Sequence, residues 1–205
     1  LQESTFAKDQ LEIVRKELTT EIEGALKEPT QVAAIALLRK LYAYPQDDAR
    51  HISTLPERIA RLGQVNPEEI RQFHREYFGG GAAQLAIVGD FDTAQVSRAL
   101  ETHFGAWRSP KAYERLIFPY VENPGGEEIV SLPEKQNAVV LTGQALELSD
   151  QDPDYPALSL FGYLFGGSEN SRLSLKLREQ SGTSYTVSAD VSAGVYDRNG
   201  MFFAF

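Results

Sequence analysis

The sequence predicts an α+β fold class, and the spacing of its apolar residues supplies three observations for this. Residues 6 to 78 repeat apolar positions at intervals of three and four, as on one face of a helix. Residues 83 to 104 hold a short apolar run, a tight turn and a capped helix, the order of a βα unit. Further along, apolar and polar residues alternate as in half-buried strands. These patterns predict a mixed α+β layer preceded by a helical segment.

Four helices are predicted in the helical segment. The first has its apolar face between residues 11 and 26, and Pro29 begins the second. Thr54 and Asn66 begin the third and fourth, because each is followed three residues later by a Glu, the signature of a capping box. The glycine run at residues 79 to 81 ends the fourth helix.

The rest of the chain alternates predicted strands and helices. The run from Ala83 to Val88 predicts a buried strand, and Asp92 with Gln95 predicts the capped start of the next helix. Asp197 to Gly200 is a hairpin turn signal. The other predicted elements are strands over 128–132 and 137–148, helices over 155–165 and 171–180, and strands from Tyr185 to Ala193 and from Met201 to Phe205.

Bulk composition excludes several classes of protein. The net charge of -9 argues against a nucleic-acid partner, whose phosphates require clustered Lys and Arg. No apolar run approaches the ~18 residues that span a bilayer, so no membrane span is predicted. With no Cys, the chain has neither a disulfide framework nor a thiolate metal site. The ends, which lack an initiating Met and stop inside an apolar strand, predict a fragment of a longer protein.

Six short motifs occur in a recognisable order. Residues 67 to 107 contain a helix, a VGD turn and an FG-W helix end, and residues 150 to 205 contain DQDPDYPAL, FGGSENSRLSLKLRE, SGTSY and DRNGMFFAF. This order resembles the C-terminal, non-metal-binding half of large bacterial zinc proteases of the pitrilysin/insulinase (inverzincin) family. The family's metal motif, HxxEH, is absent from the sequence.

The resemblance implies both a fold and a division of the chain. The fold would be a mixed, largely antiparallel sheet with helices packed mainly on one face. Residues 1–78 would be the helical end of a peptidase-like subdomain. Residues 79–205 would be most of the C-terminal module, truncated at its last strand.

The resemblance also implies site residues. An intact family member has two similar halves that enclose a chamber, and the first half binds zinc. The second half contributes an Arg and a Tyr seven residues apart, here Arg178 and Tyr185, which would polarise the scissile carbonyl opposite the zinc. Losing one such donor typically costs ~2.7–4 kcal/mol in the barrier. Gly166, Gly167 and Ser168 are the substrate-binding candidates, where related processing peptidases carry a longer Gly-rich loop.

Each candidate also has a purely structural interpretation. Arg178 near a helix C-terminus could serve only to complement the helix dipole, worth ~0.3–1 kcal/mol. Tyr185 could be a core aromatic with its hydroxyl satisfied, and the Gly pair could be a helix C-cap.

No metal site is predicted in this chain. The only histidines are His51, His74 and His103, and none has a second His four residues away. The acidic run at Asp150, Asp152 and Asp154 lacks the Gly and closing Glu of an EF-hand, which favours a solvated turn over calcium binding. The resemblance implies that the other half of the parent holds zinc, and no cofactor is expected in this one.

Three functional hypotheses follow. The first is the metal-free, substrate-binding half of a two-half zinc metalloendopeptidase, whose partners are a peptide and an HxxEH-bearing half in the same parent chain or a partner subunit. Its exposed sheet edge would pair with an extended substrate. The second is a non-catalytic peptide- or subunit-binding module of the same family. The third is a free-standing α/β small-molecule binder built on the VGD turn. The expected location is periplasmic or secreted, with the cytoplasm as the alternative.

Overall fold

The computed structural model describes residues 2–184 and 186–205, with the side chain of Ala82 left aside. Within those ranges lie seven α-helices and three β-strands. The helices are α1 (Lys8–Ala25), α2 (Pro29–Leu41), α3 (Leu55–Gln64), α4 (Pro67–Tyr77), α5 (Thr93–Phe104), α6 (Tyr155–Phe165) and α7 (Arg172–Ser174). The strands are β1 (Thr142–Leu146), β2 (Ala189–Ser192) and β3 (Gly200–Ala204). No described helix combines the length and apolar character needed to cross a membrane.

The chain packs as two compact units. Unit 1 comprises Leu1–Thr19 and Ala60–Arg115, and unit 2 comprises Thr20–Ile59 and Leu116–Phe205. Unit 2 contains all three strands together with α2, α6 and α7. The division into peptidase subdomains 1–78 and 79–205 refers to a larger protein and stays a prediction.

The strands form one antiparallel sheet in the order β1-β3-β2. Phe203 lies opposite Gly143 of β1, and Phe202 lies opposite Val191 of β2. The β2–β3 hairpin contains the turn signal at residues 197 to 200, which confirms that prediction. The α+β class is also confirmed.

The core of unit 2 lies between this sheet and its helices. Leu41, Leu148, Ala189 and Val191 are buried on these elements or next to them, and Leu55 is buried at the start of α3. The rings of Phe161 and Phe165 on α6 each lie 6.1 Å from the ring of Phe202 on β3. On β1, a methyl group at Gly143 would meet Leu37 and Leu41 of α2, so this helix packs closely against the strand.

Helix starts follow their capping chemistry. Before α3, the Thr54 N–H donates to the Glu57 carboxylate (2.7 Å) and the Glu57 N–H donates to the Thr54 hydroxyl (3.3 Å). Before α4, Asn66 and Glu69 exchange the same pair of hydrogen bonds. The capping boxes predicted at Thr54 and Asn66 are therefore confirmed. At Asp92, before α5, the sequence predicts a third capping box with Gln95, and the structure shows half of it: the Asp92 carboxylate accepts the Gln95 N–H (2.8 Å).

Three strand predictions are wrong in whole or part. Residues 83–88 and 128–132 form no regular secondary structure, and neither segment joins the described sheet. Val88 is 99% exposed, so the first is not the buried strand that its apolar run predicted. Of residues 137–148, only β1 pairs with another strand. A β-strand needs a neighbouring strand as well as an apolar run, and among the described residues none pairs with these segments.

Candidate functional site

Arg178 lies in a π-helical turn that continues α7. Ser171 caps α7 by accepting a hydrogen bond from the Ser174 N–H, and its side chain is buried. The backbone then widens into a π-helix over Leu175–Gln180. Such turns are rare in proteins and occur frequently at functional sites. The predicted helix over residues 171 to 180 is thus present, with its C-terminal part in the wider form.

The Arg178 guanidinium is only loosely held. Its Nη1 lies 3.9 Å from a Glu169 carboxylate oxygen, and its Nε lies 3.7 Å from Glu179. The Arg178 side chain is 46% exposed. Exposed pairs at such distances contribute ~0–1 kcal/mol, so they offer little resistance to a competing acceptor. A peptide carbonyl or carboxylate could therefore take up the N–H groups of Arg178.

The glycine pair connects α6 to the loop that carries Glu169. Gly166 ends α6, and its N–H donates to the Gly162 carbonyl (3.0 Å). A side chain at Gly166 would collide with the backbone N of Ala189 on β2. Gly167 is restricted as well, because a methyl group there would lie 2.7 Å from Tyr163 Cα. Close packing therefore accounts for both glycines, and their contact with substrate stays a prediction.

The candidate residues fall on one stretch of unit 2. Ser168 lies in the loop after the glycine pair, where its carbonyl accepts the Ser171 N–H (3.1 Å). The Glu169–Arg178 pair joins this loop to the π-helical turn. Tyr185 lies outside the described residues, so its distance from Arg178 stays a prediction. Reasoning from the sequence missed Glu169, whose position in the loop carried no recognisable signal.

Hydrogen bonds stabilise the acidic turn at residues 150 to 154, before α6. Asp152 accepts the Ser149 N–H (2.6 Å) and forms an ion pair with Arg198 (2.7 Å). These contacts, the Ser149 N–H first, hold the pKa of Asp152 below its ordinary value. The turn therefore fixes the entry to α6 and ties it to the β2–β3 hairpin.

The described residues contain no group of three or more His, Asp or Glu side chains able to hold a metal ion. Instead, His51 Nδ1 lies 2.9 Å from the Tyr44 carbonyl, and the carbonyl of His103 accepts from the Gln2 amide. The His74 ring lies 5.2 Å from the rings of Phe6 and Phe78. Each histidine thus has structural neighbours.

The fold and the matching sequence profile place the chain among the M16 peptidases. The profile of the "Peptidase M16 inactive domain" matches residues 64–204, so the chain belongs to this family and corresponds to its C-terminal, inactive domain. The chain is 25% identical over 140 residues to the "Probable inactive metalloprotease YmfF" of Bacillus subtilis, a match that covers 66% of this chain and 32% of the relative.

Solved structures support the same fold. A peptidase M16 inactive domain from Pseudomonas fluorescens matches with a TM-score of 0.70 and 22% identity, over 98% of this chain and 47% of that one. A protease from Helicobacter pylori matches with a TM-score of 0.66 and 17% identity, over 97% and 47% of the two chains. The chain therefore spans about a third to a half of the length of these relatives.

Proposed function

We propose that this chain is the substrate-binding, metal-free half of a two-half zinc metalloendopeptidase. In this role Arg178 and Tyr185 donate hydrogen bonds to the scissile carbonyl, opposite a zinc ion held by an HxxEH-bearing half. The observation that supports the proposal most is the exposed, weakly paired Arg178 on a π-helical turn.

Arg178 and Tyr185 would act by stabilising negative charge on the carbonyl oxygen. When water attacks a peptide carbonyl, negative charge develops on the oxygen, and fixed donors stabilise it more than they stabilise the ground state. The planar, permanently charged guanidinium of Arg178 suits this task. Zinc in the other half would polarise the same carbonyl and activate the water.

Variants of the intact protein test the proposal. Arg178→Ala and Tyr185→Phe should each lower kcat/KM for peptide hydrolysis roughly a hundredfold, the scale of one lost oxyanion donor. Arg172→Ala is the matched control, because Arg172 is an exposed arginine only six residues away, on α7. If Arg178→Ala lowers kcat/KM by less than about threefold, the role of Arg178 is only structural.

A second function is a non-catalytic module that binds peptides or other subunits. The names of two relatives favour it, since the Bacillus subtilis protein is called probably inactive and the Pseudomonas fluorescens structure is called an inactive domain. If the intact protein binds peptides but shows no zinc-dependent hydrolysis, this second function is the correct one.

A further inference from the structure

Two carboxylates approach the Arg178 guanidinium from different elements of the backbone. Glu169, in the loop before α7, lies 3.9 Å from one terminal nitrogen, Nη1. Glu179, in the π-helical turn itself, lies 3.7 Å from Nε. Two of the three nitrogens of this planar group therefore have a negative charge nearby, and two partners restrain its direction more than one would.

Neither carboxylate uses up the hydrogen-bonding capacity of Arg178. An N–H···O hydrogen bond needs about 2.7–3.2 Å between nitrogen and oxygen, and both pairs are longer than this. Attraction between the charges persists at these distances because it falls off only slowly with separation. The two carboxylates can therefore orient the guanidinium while its N–H groups stay available to a substrate carbonyl.

The backbone that carries Glu169 is fixed at both ends of its loop. The Gly167 N–H donates to the Tyr163 carbonyl (3.0 Å), which holds the start of the loop on α6. The Ser171 N–H donates to the Ser168 carbonyl (3.1 Å) and closes a turn with Glu169 at its second position. The Glu169 side chain, 88% exposed, thus extends into solvent from a defined point of this turn.

The π-helical turn fixes the backbone of Arg178. The Ser181 N–H donates to the Lys176 carbonyl (3.1 Å), and the Thr183 N–H donates to the Leu177 carbonyl (3.0 Å). These two bonds enclose Arg178, because each joins a residue before it to a residue after it. The guanidinium and the loop carboxylate therefore extend from two backbone positions that hydrogen bonds hold in place.

We propose that Glu169 is a positioning residue for Arg178, with Glu179 as a second support. This role rests on the proposed function, in which Arg178 donates to the scissile carbonyl. A guanidinium that is oriented beforehand loses less conformational freedom when the carbonyl arrives, and this lowers the barrier. Because both pairs are exposed and individually weak, they direct the guanidinium without holding it back from the substrate.

Kinetics of the intact protein test the positioning role. Glu169→Gln keeps the shape of the side chain and removes its charge. We expect it to lower kcat for peptide hydrolysis about threefold to fivefold, the upper range for an exposed ion pair, and to leave KM unchanged. In an Arg178→Ala background the same substitution should have no further effect, because no guanidinium is left to orient. Glu147→Gln is the matched control, since Glu147 pairs with Arg198 instead, and it should leave kcat unchanged.

Nuclear magnetic resonance measures the positioning independently of catalysis. The order parameter of the Arg178 Nε–H bond, obtained from nitrogen relaxation, should fall in Glu169→Gln, whereas that of Arg172 should stay the same. An unchanged order parameter at Arg178, or an equal loss of kcat in the Arg178→Ala background, would overturn the inference. A lower order parameter together with full activity of Arg178→Ala would support the positioning by Glu169 and overturn the proposed function instead.

Discussion

Gly166 shows how one residue sets the distance between α6 and the sheet. A methyl group at this position would lie 2.5 Å from Ala189 Cβ and would also meet the Ala189 backbone. The backbone of Ala189 cannot move out of the way by a change of rotamer, as a side chain could. The end of α6 and strand β2 would therefore have to move apart.

We therefore expect Gly166→Ala to destabilise the fold by about 1–3 kcal/mol, the usual cost of overpacking. Gly24→Ala is the control, because Gly24 lies on α1 with nothing within 4 Å of an added methyl group. This control should gain about 0.5–1 kcal/mol from helix propensity. Urea unfolding measures both, and equal stability of the two variants would contradict the packing account.

The lowered pKa of Asp152 leads to a prediction about the stability of the fold in acid. Its pKa is lowered in the folded state by the Ser149 N–H and by Arg198. A lowered pKa contributes stability that is fully present above the unfolded-state value of 3.8 and is lost as the pH falls through the lower folded value.

Asp152→Asn should accordingly lower stability at neutral pH and flatten the loss of stability below about pH 4. Asp154→Asn is the matched control, because the side chain of Asp154 makes no capping hydrogen bond to α6. Thermal unfolding at several pH values provides the comparison. The same acid profile in wild type and Asp152→Asn would refute the assigned role.

At the scale of elements, Ser171 fixes where α7 and the π-helical turn begin. Its hydroxyl accepts the Ser174 N–H (3.4 Å), and the residue is 2% exposed. Ser171→Ala should cost about 1 kcal/mol, as N-cap replacements do. Ser97→Ala, on the exposed surface of α5, should change stability by less than about 0.5 kcal/mol. Equal urea midpoints for the two variants would show that the cap contributes nothing.

Helices could be predicted from the sequence far better than strands. The starts of α2, α3 and α4 depend on Pro29, Thr54 and Asn66, whose chemistry acts within a few residues. A strand depends on a partner that is distant in sequence. The β2–β3 hairpin could be predicted because its partner lies just across a turn. Residues 83–88 and 128–132 have the pattern of strands but no described partner.

For the candidate site, the local sequence predicted where the helices lie but not which of their side chains contact each other. The order of motifs singled out Arg178 and the glycine pair as candidates, and α6 and its C-cap lie where the pattern predicted. The π-helical turn, the Glu169–Arg178 pair and the collision that restricts Gly166 depend on three-dimensional packing. Neither residue type nor spacing encodes them.

At the scale of the whole molecule, the chain belongs to the M16 peptidases and matches the profile of their inactive domain. We propose that this domain contributes to catalysis through the hydrogen bonds that Arg178 donates. Chemical rescue tests that claim most directly. In Arg178→Ala of the intact protein, added guanidinium should restore kcat/KM for a peptide substrate at least about tenfold, because it returns the lost donor to an existing site. The Arg172→Ala control should not respond. If guanidinium leaves Arg178→Ala unchanged, or if Arg178→Ala is as active as wild type, the account is contradicted.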